Sequence, residues 1–310
     1  MIRHFCIALI VGMTLLLGAC SLGHRGNGQA LSPSGDLELV QAWLLDIPRP
    51  LEPSGLTRYQ GQLYTVADKD DQTIYRVRFE GEAASLVPAI RFKRPGRGNM
   101  DWEGITNDPE GNFYLVSEEQ GRLCRVTSAG QADWASPDLR SLVGESGLFG
   151  KNNAGLEGIV RLGPDHWLGA VEREPRGLVE WKGNGPEPEI QAWSMLHSPF
   201  AHELPLIRLP DFSALAADGD RVYALFRNAH LVVRLEKDGE TMKETEAWSY
   251  RHIETDPRWA YRNQVYGQAE GLVVDGEDVF IIFDNNLGGR QADPGDGRPL
   301  LVHVRFPSEN

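Results

Sequence analysis

Three short segments of this chain carry Glu-Gly ahead of an aliphatic residue: Glu103-Gly104-Ile105, Glu157-Gly158-Ile159 and Glu270-Gly271-Leu272. Two more, Ser54-Gly55-Leu56 and Ser213-Ala214-Leu215, align with them but place Ser where Glu stands. The five aligned positions, Ser54, Glu103, Glu157, Ser213 and Glu270, are spaced by 49, 54, 56 and 57 residues. If the repeats are structurally equivalent, the glutamates converge. Carboxylates brought together repel unless one keeps a proton or a cation bridges them. Carboxylate and amide oxygens suit Ca²⁺. Glu103, Glu157, Glu270 and Asp284 are therefore candidate ligands of a Ca²⁺-type ion. The competing reading is that these glutamates only cap backbone N–H groups and tie neighbouring units together.

The elements that would position them follow the same repeat. After each start comes a turn and a second apolar run: Gln62–Ala67, Asn112–Ser117, His166–Val171, Arg221–Phe226 and Asp278–Phe283. Third runs follow at Ile74–Val77, Leu123–Val126, Leu178–Trp181, Leu231–Leu235 and Leu301–Phe306. Runs of this length, rich in β-branched and aromatic residues and bounded by Gly, Asp and Pro, are strands. A repeat near 50 residues with four strands is a propeller blade. Fourth strands are visible at Gln191–Met195 and Glu246–Tyr250, but the fifth unit ends after its third strand. Gln41-Ala-Trp-Leu-Leu45 matches the missing piece. The reading is an all-β propeller of five four-stranded blades, its ring closed by the N-terminal strand, with a sixth, diverged blade as the alternative count. Closure hides the edges an open sheet would expose.

In a blade, the start of the first strand, the end of the second and the loop to the next blade share one face. That face receives Asp68, Glu118, Glu172, Arg227 and Asp284, with Asn285 beside the last. Asp68, Glu118, Glu172, Arg227 and Asn285 are thus candidate polar groups of the channel mouth. The inter-blade loops there are long, and loops on a rigid scaffold tend to carry function. One holds Arg91, Lys93, Arg94 and Arg97, a basic cluster in an acidic protein. Arginine grips phosphate oxygens in pairs, so these four are candidate anion-binding residues. His197 and His202 lie in another loop. Catalytic signatures of other kinds are absent: Gly144–Gly147 is followed by Leu148 and is no nucleophile elbow, and Asp68–Gln72 lacks the glycine of an EF-hand loop.

The first twenty residues read as a targeting device. A short basic start, Met1–His4, precedes an apolar run, Phe5–Leu17, too short to span a bilayer as a helix. Leu17-Gly18-Ala19-Cys20 resembles a bacterial lipobox, with residues 1–19 as signal peptide and Cys20 as lipidation site. Residues 20–35 then form a flexible tether and residues 36–310 one propeller domain. The expected location is the bacterial outer membrane, on its periplasmic or surface side. Cys6 leaves with the signal and Cys20 is acylated, so Cys124 has no disulfide partner. Net charge is −13 at pH 7, which argues against nucleic acid as a partner. A monomer is expected.

Ser54–Asp68, Asp101–Ile105 with Val116–Glu119, and Asn153–Ile159 with Val171-Glu172 together resemble the phytase-like (esterase-like activity of phytase) propellers and the related SdiA-regulated propellers. The resemblance implies a secreted or envelope propeller with ester or phosphoester hydrolysis as its activity class. Two functions stand: a Ca²⁺-dependent hydrolase of a small anionic ester at the channel mouth, and a non-catalytic propeller that binds a ligand or an envelope protein.

Overall fold

The computed structural model describes residues 30–204, 208–262, 265–286 and 288–308. The expected signal peptide and Cys20 lie outside the described residues, as does the tether up to Gln29. The described chain is a β-propeller. Blade 1 runs Pro53–Tyr59, Gln62–Ala67, Asp70–Glu80 and Ala83–Arg91, and blade 2 runs Trp102–Asn107, Phe113–Ser117, Arg122–Val126 and Ala132–Trp134. Blade 3 comprises Leu156–Gly163, His166–Val171, Gly177–Lys182 and Glu189–Ser194. Blade 4 comprises Ala214–Asp218, Arg221–Phe226, Leu231–Asp238 and Thr241–Ser249. Blade 5 has three strands of its own, Ala269–Asp275, Asp278–Phe283 and Leu300–Arg305. Its fourth is the N-terminal Glu38–Asp46, antiparallel to Leu300–Arg305 with Ala42 opposite Val302. The first strands neighbour one another in a closed cycle from blade 1 round to blade 5 and back.

Two local devices shape the channel mouth. The pairing of first and second strands skips one residue in blades 2, 3 and 5, between Trp102 and Gly104, Leu156 and Gly158, and Ala269 and Gly271. The skipped residues are Glu103, Glu157 and Glu270. A bulge re-aims a side chain out of the ladder, and here it turns each glutamate toward the axis. The glycine that follows lets the next blade come close. A Cβ on Gly104 would stand 2.5 Å from the Glu157 carbonyl oxygen, one on Gly158 2.6 Å from the Leu215 nitrogen, and one on Gly271 2.5 Å from the Gly55 carbonyl carbon. Glu-Gly is therefore one unit: a carboxylate aimed inward, and a gap that admits the neighbouring strand.

Apolar side chains fill the spaces between blades. Tyr223, Leu225 and Val232 of blade 4 pack with Leu272, Val279 and Ile281 of blade 5. Trp102, Trp167 and Trp181 are fully buried. Cys124 is buried on the third strand of blade 2, and burial pushes its thiol up to about 12, which leaves no thiolate for nucleophilic work.

Candidate functional site

The mouth of the channel holds a cavity of about 350 Å³ lined almost wholly by polar side chains. Glu103, Glu157 and Glu270 reach it from the bulges, and Asp68, Glu118, Glu172, Arg227 and Asp284 from the ends of second strands. The second-strand positions are fixed by a recurring backbone bond. The N–H of Asp68, Glu118, Glu172 and Asp284 donates, at 2.8–2.9 Å, to the carbonyl of Glu52, Asp101, Gly155 and Gln268 respectively, each ahead of its own blade's first strand. Repeat alignment thus locates eight residues on one cavity wall. Asn285 is buried beside it, its amide donating to the Gly297 carbonyl, and Asn286 lines the cavity instead.

The basic cluster goes elsewhere. Arg91 belongs to the outer strand of blade 1, and Arg94 pairs with Asp71. None of Arg91, Lys93, Arg94 and Arg97 lines the cavity, whose cations are Arg173, Arg208 and Arg227. His202 turns away as well, its Nδ1 2.7 Å from the Phe200 carbonyl and its ring edge-on to Phe226.

Arg227 stands where the other blades carry an acid. Its Nε donates to Asp211 at 2.9 Å, and its two terminal nitrogens pair with Glu270 and Glu172. Burial would weaken the guanidinium, but Glu270, Asp211 and Glu157 outweigh it and hold the charge firmly. Arg227 therefore offsets part of the negative charge on the blade 3–5 side of the mouth, and Arg173 adds to it through Glu172.

On the blade 1–3 side Lys69 pairs with Asp68 and Glu52, but no cation among the described residues reaches the glutamates further in. Glu103 and Glu157 form no salt bridge among the described residues. Burial, then Glu270 and Asp101, raises Glu103 well above the ordinary carboxyl range; burial, then Glu103, does the same to Glu157. Asp101 is pushed up to about 8 by burial and by its hydrogen bond to Asp68. Asp68 lies below its usual value despite partial burial, because Asp101 and Lys69 stabilise its ionised form. The pair thus sets a protonated carboxyl beside a carboxylate, the pattern that marks acid and base roles. Asp284 is also raised to about 8, chiefly by burial.

Two groups of three carboxylates bring ligand oxygens within 4.8 Å of one another: Asp101, Glu103 and Glu118, and Glu118, Glu157 and Glu172. Either could share a cation. The second already meets Arg227 and Arg173 through Glu172, so the first is where positive charge is most needed. Glu118 also accepts from the Gly155 N–H at 2.7 Å, so capping between blades and lining the cavity coexist in one side chain. The repeat overlooks Asp101, which precedes the aligned position. Its backbone φ of 52° is the visible signal, since a non-glycine residue held in that region points to a local demand. Asn153 and Asn286, also lining the cavity, have φ of 56° and 42°.

Fold and site define a β-propeller with an acidic, cation-ready channel mouth. The chain belongs to the SdiA-regulated family, whose model matches residues 52–286. Among solved structures it is similar to glutaminyl cyclase from Myxococcus xanthus, with TM-score 0.58 and 13% identity over 90% of this chain and 100% of that one. It is also similar to the PQQ-bound aldose sugar dehydrogenase from Streptomyces coelicolor, with TM-score 0.48 and 11% identity over 87% and 98% of the two chains. No curated protein sequence matches it.

Proposed function

We propose that this propeller is a Ca²⁺-dependent ester hydrolase working at the channel mouth, held at the bacterial outer membrane by lipid on Cys20. The observation that carries the reading is the Asp101–Glu103–Glu118 group, three carboxylates within 4.8 Å and without a basic partner of their own, next to the Asp68–Asp101 pair. Those three residues would hold the ion, which would supply Lewis-acid polarisation of a carbonyl or phosphoryl oxygen. Asp68, which Lys69 holds toward its ionised form, would take a proton from water. Glu157, whose carboxyl burial and Glu103 hold well above the ordinary range, would return one to the leaving group. With nine carboxyls and three arginines around it, the cavity favours an uncharged or singly charged ester over a polyanion such as phytate. This replaces the anion-binding role expected of Arg91, Lys93, Arg94 and Arg97.

The test is calorimetric titration with Ca²⁺ beside an assay of p-nitrophenyl acetate, p-nitrophenyl phosphate and phytate, with and without chelator. Expected are saturable binding, turnover of the acetate that chelator abolishes, and at least tenfold weaker Ca²⁺ binding in Glu103→Gln and Glu118→Gln. A glutaminyl peptide belongs in the panel because the cyclase shares the scaffold over its full length. Absence of Ca²⁺ binding below millimolar, with no turnover of any substrate, returns the protein to the class of binding propellers.

A further inference from the structure

The four most exposed large hydrophobic side chains among the described residues are Leu196 (60%), Leu31 (55%), Leu209 (51%) and Val265 (51%). They share one sector of the site face. Leu196 and Leu209 flank the loop from blade 3 to blade 4, and Val265 lies in the loop from blade 4 to blade 5. Leu31 is bound to the first of these loops: its N–H donates to the Pro199 carbonyl at 2.9 Å, and its carbonyl accepts from Ala201 at 2.7 Å. The loops are joined by the Arg208 guanidinium, 4.0 Å over the Tyr266 ring. Arg208 and Tyr266 also line the cavity, so the apolar sector is continuous with its rim.

Isolated exposed leucines are ordinary on a protein surface, but several grouped around a ligand cavity are not. The occupant follows from where the described chain begins. Ten residues separate Cys20 from Leu31. Fully extended they span about 35 Å, less than the roughly 50 Å width of a body this size. A lipid on Cys20 would therefore keep this sector, and not the opposite face, next to the bilayer. We propose that the sector built from Leu31, Leu196, Leu209 and Val265 docks on the membrane that carries the Cys20 lipid, so that the cavity opens at headgroup level and receives esters presented by that surface. The proposal rests on the lipid anchor of the preceding reading. Anchoring and patch are complementary, because the lipid would hold the protein at the bilayer while the patch sets which face is turned toward it. Arg208 and Arg251 supply positive charge among the apolar groups, although Arg251 shares its charge with exposed Glu203 at 3.0 Å.

The experiment uses the acylated full chain in vesicles of phosphatidylethanolamine and phosphatidylglycerol. Bimane is attached through Leu196→Cys, Leu209→Cys, Val265→Cys and, as reference, Leu162→Cys. Leu162 is 39% exposed near the far end of the first strand of blade 3. Nitroxide-labelled lipid should cut the emission of the three site-face labels at least twofold and leave Leu162 unchanged. Unquenched Leu209 and Val265, or equal quenching at Leu162, overturns the docking proposal. Fatty-acid labelling of the same protein, with Cys20→Ser as control, reads the anchor separately. Acylation without quenching refutes docking and keeps the anchor. Quenching by added vesicles without acylation refutes the anchor and keeps the docking surface.

Discussion

Arg227 shows how one residue decides the electrostatics of the mouth. The other four blades end their second strand on an acid, and Arg227 collects Glu172, Asp211 and Glu270 into a single cluster. Removing one partner from a buried ionic network leaves the others uncompensated, which costs about 3–5 kcal/mol. Arg227→Met should therefore lower unfolding stability by that amount at pH 7.5 in urea titrations. The loss should shrink at pH 5, where Glu270, whose carboxyl burial already raises, takes up a proton more readily. An equal loss at both values would mean that the side chain contributes packing alone. The sequence shows Arg227 plainly as the odd residue in the aligned column, but not its partners, because Asp211 lies in a loop outside the repeat. Asp101 escaped for a similar reason: nothing in its residue type announces a φ of 52° or a shared proton with Asp68.

The elements were more legible than the site they hold. The Glu-Gly pattern announces three equivalent strands, in blades 2, 3 and 5, because each repeats the same two needs, a bulge that frees the glutamate and a strand start thin enough for its neighbour. Side-chain destinations were harder, since Arg91–Arg97 shares the acidic residues' face by topology yet is drawn off by Asp71 and the outer strand. The thinness is testable. A Cβ at Gly158 would meet the Leu215 nitrogen at 2.6 Å and the Ala214 carbonyl carbon at 2.7 Å, both backbone atoms that cannot swing aside. Gly158→Val should destabilise the protein by about 3 kcal/mol through overpacking. Gly185→Ala, with nothing within 4 Å, should stay within about 0.5 kcal/mol. Comparable losses in both would show that the approach of blades 3 and 4 does not set the cost at Gly158, since losing a glycine's unfolded-state freedom by itself stabilises.

At the scale of the whole molecule, closing the ring concentrates acid around one axis, and stability then depends on pH in a direction set by burial. Asp284 and Glu254, both buried, are raised to about 8. The folded state holds their protons where an unfolded chain, with carboxyls near 4, has released them. Their contribution is full below pH 4 and is lost as pH rises through 8. His230 acts oppositely: burial, then Arg251, lowers it to about 4, so its contribution is present above 6.5 and lost as pH falls toward 4. Between pH 6.5 and 8.5 only the carboxyls are changing, and the melting temperature in chelator should fall across that interval. Calcium held by Asp101, Glu103 and Glu118 would need them ionised, and Asp101 is also raised to about 8, so its stabilisation should be greater at pH 8.5 than at 6.5, reaching about 2.7 kcal/mol at a hundredfold excess over Kd. Thermal melts at the two pH values, with chelator and with Ca²⁺, separate the effects. A melting temperature that rises with pH in chelator would show that the buried carboxyls are ionised without a cation, and a Ca²⁺ increment that does not grow with pH would place the ion away from them.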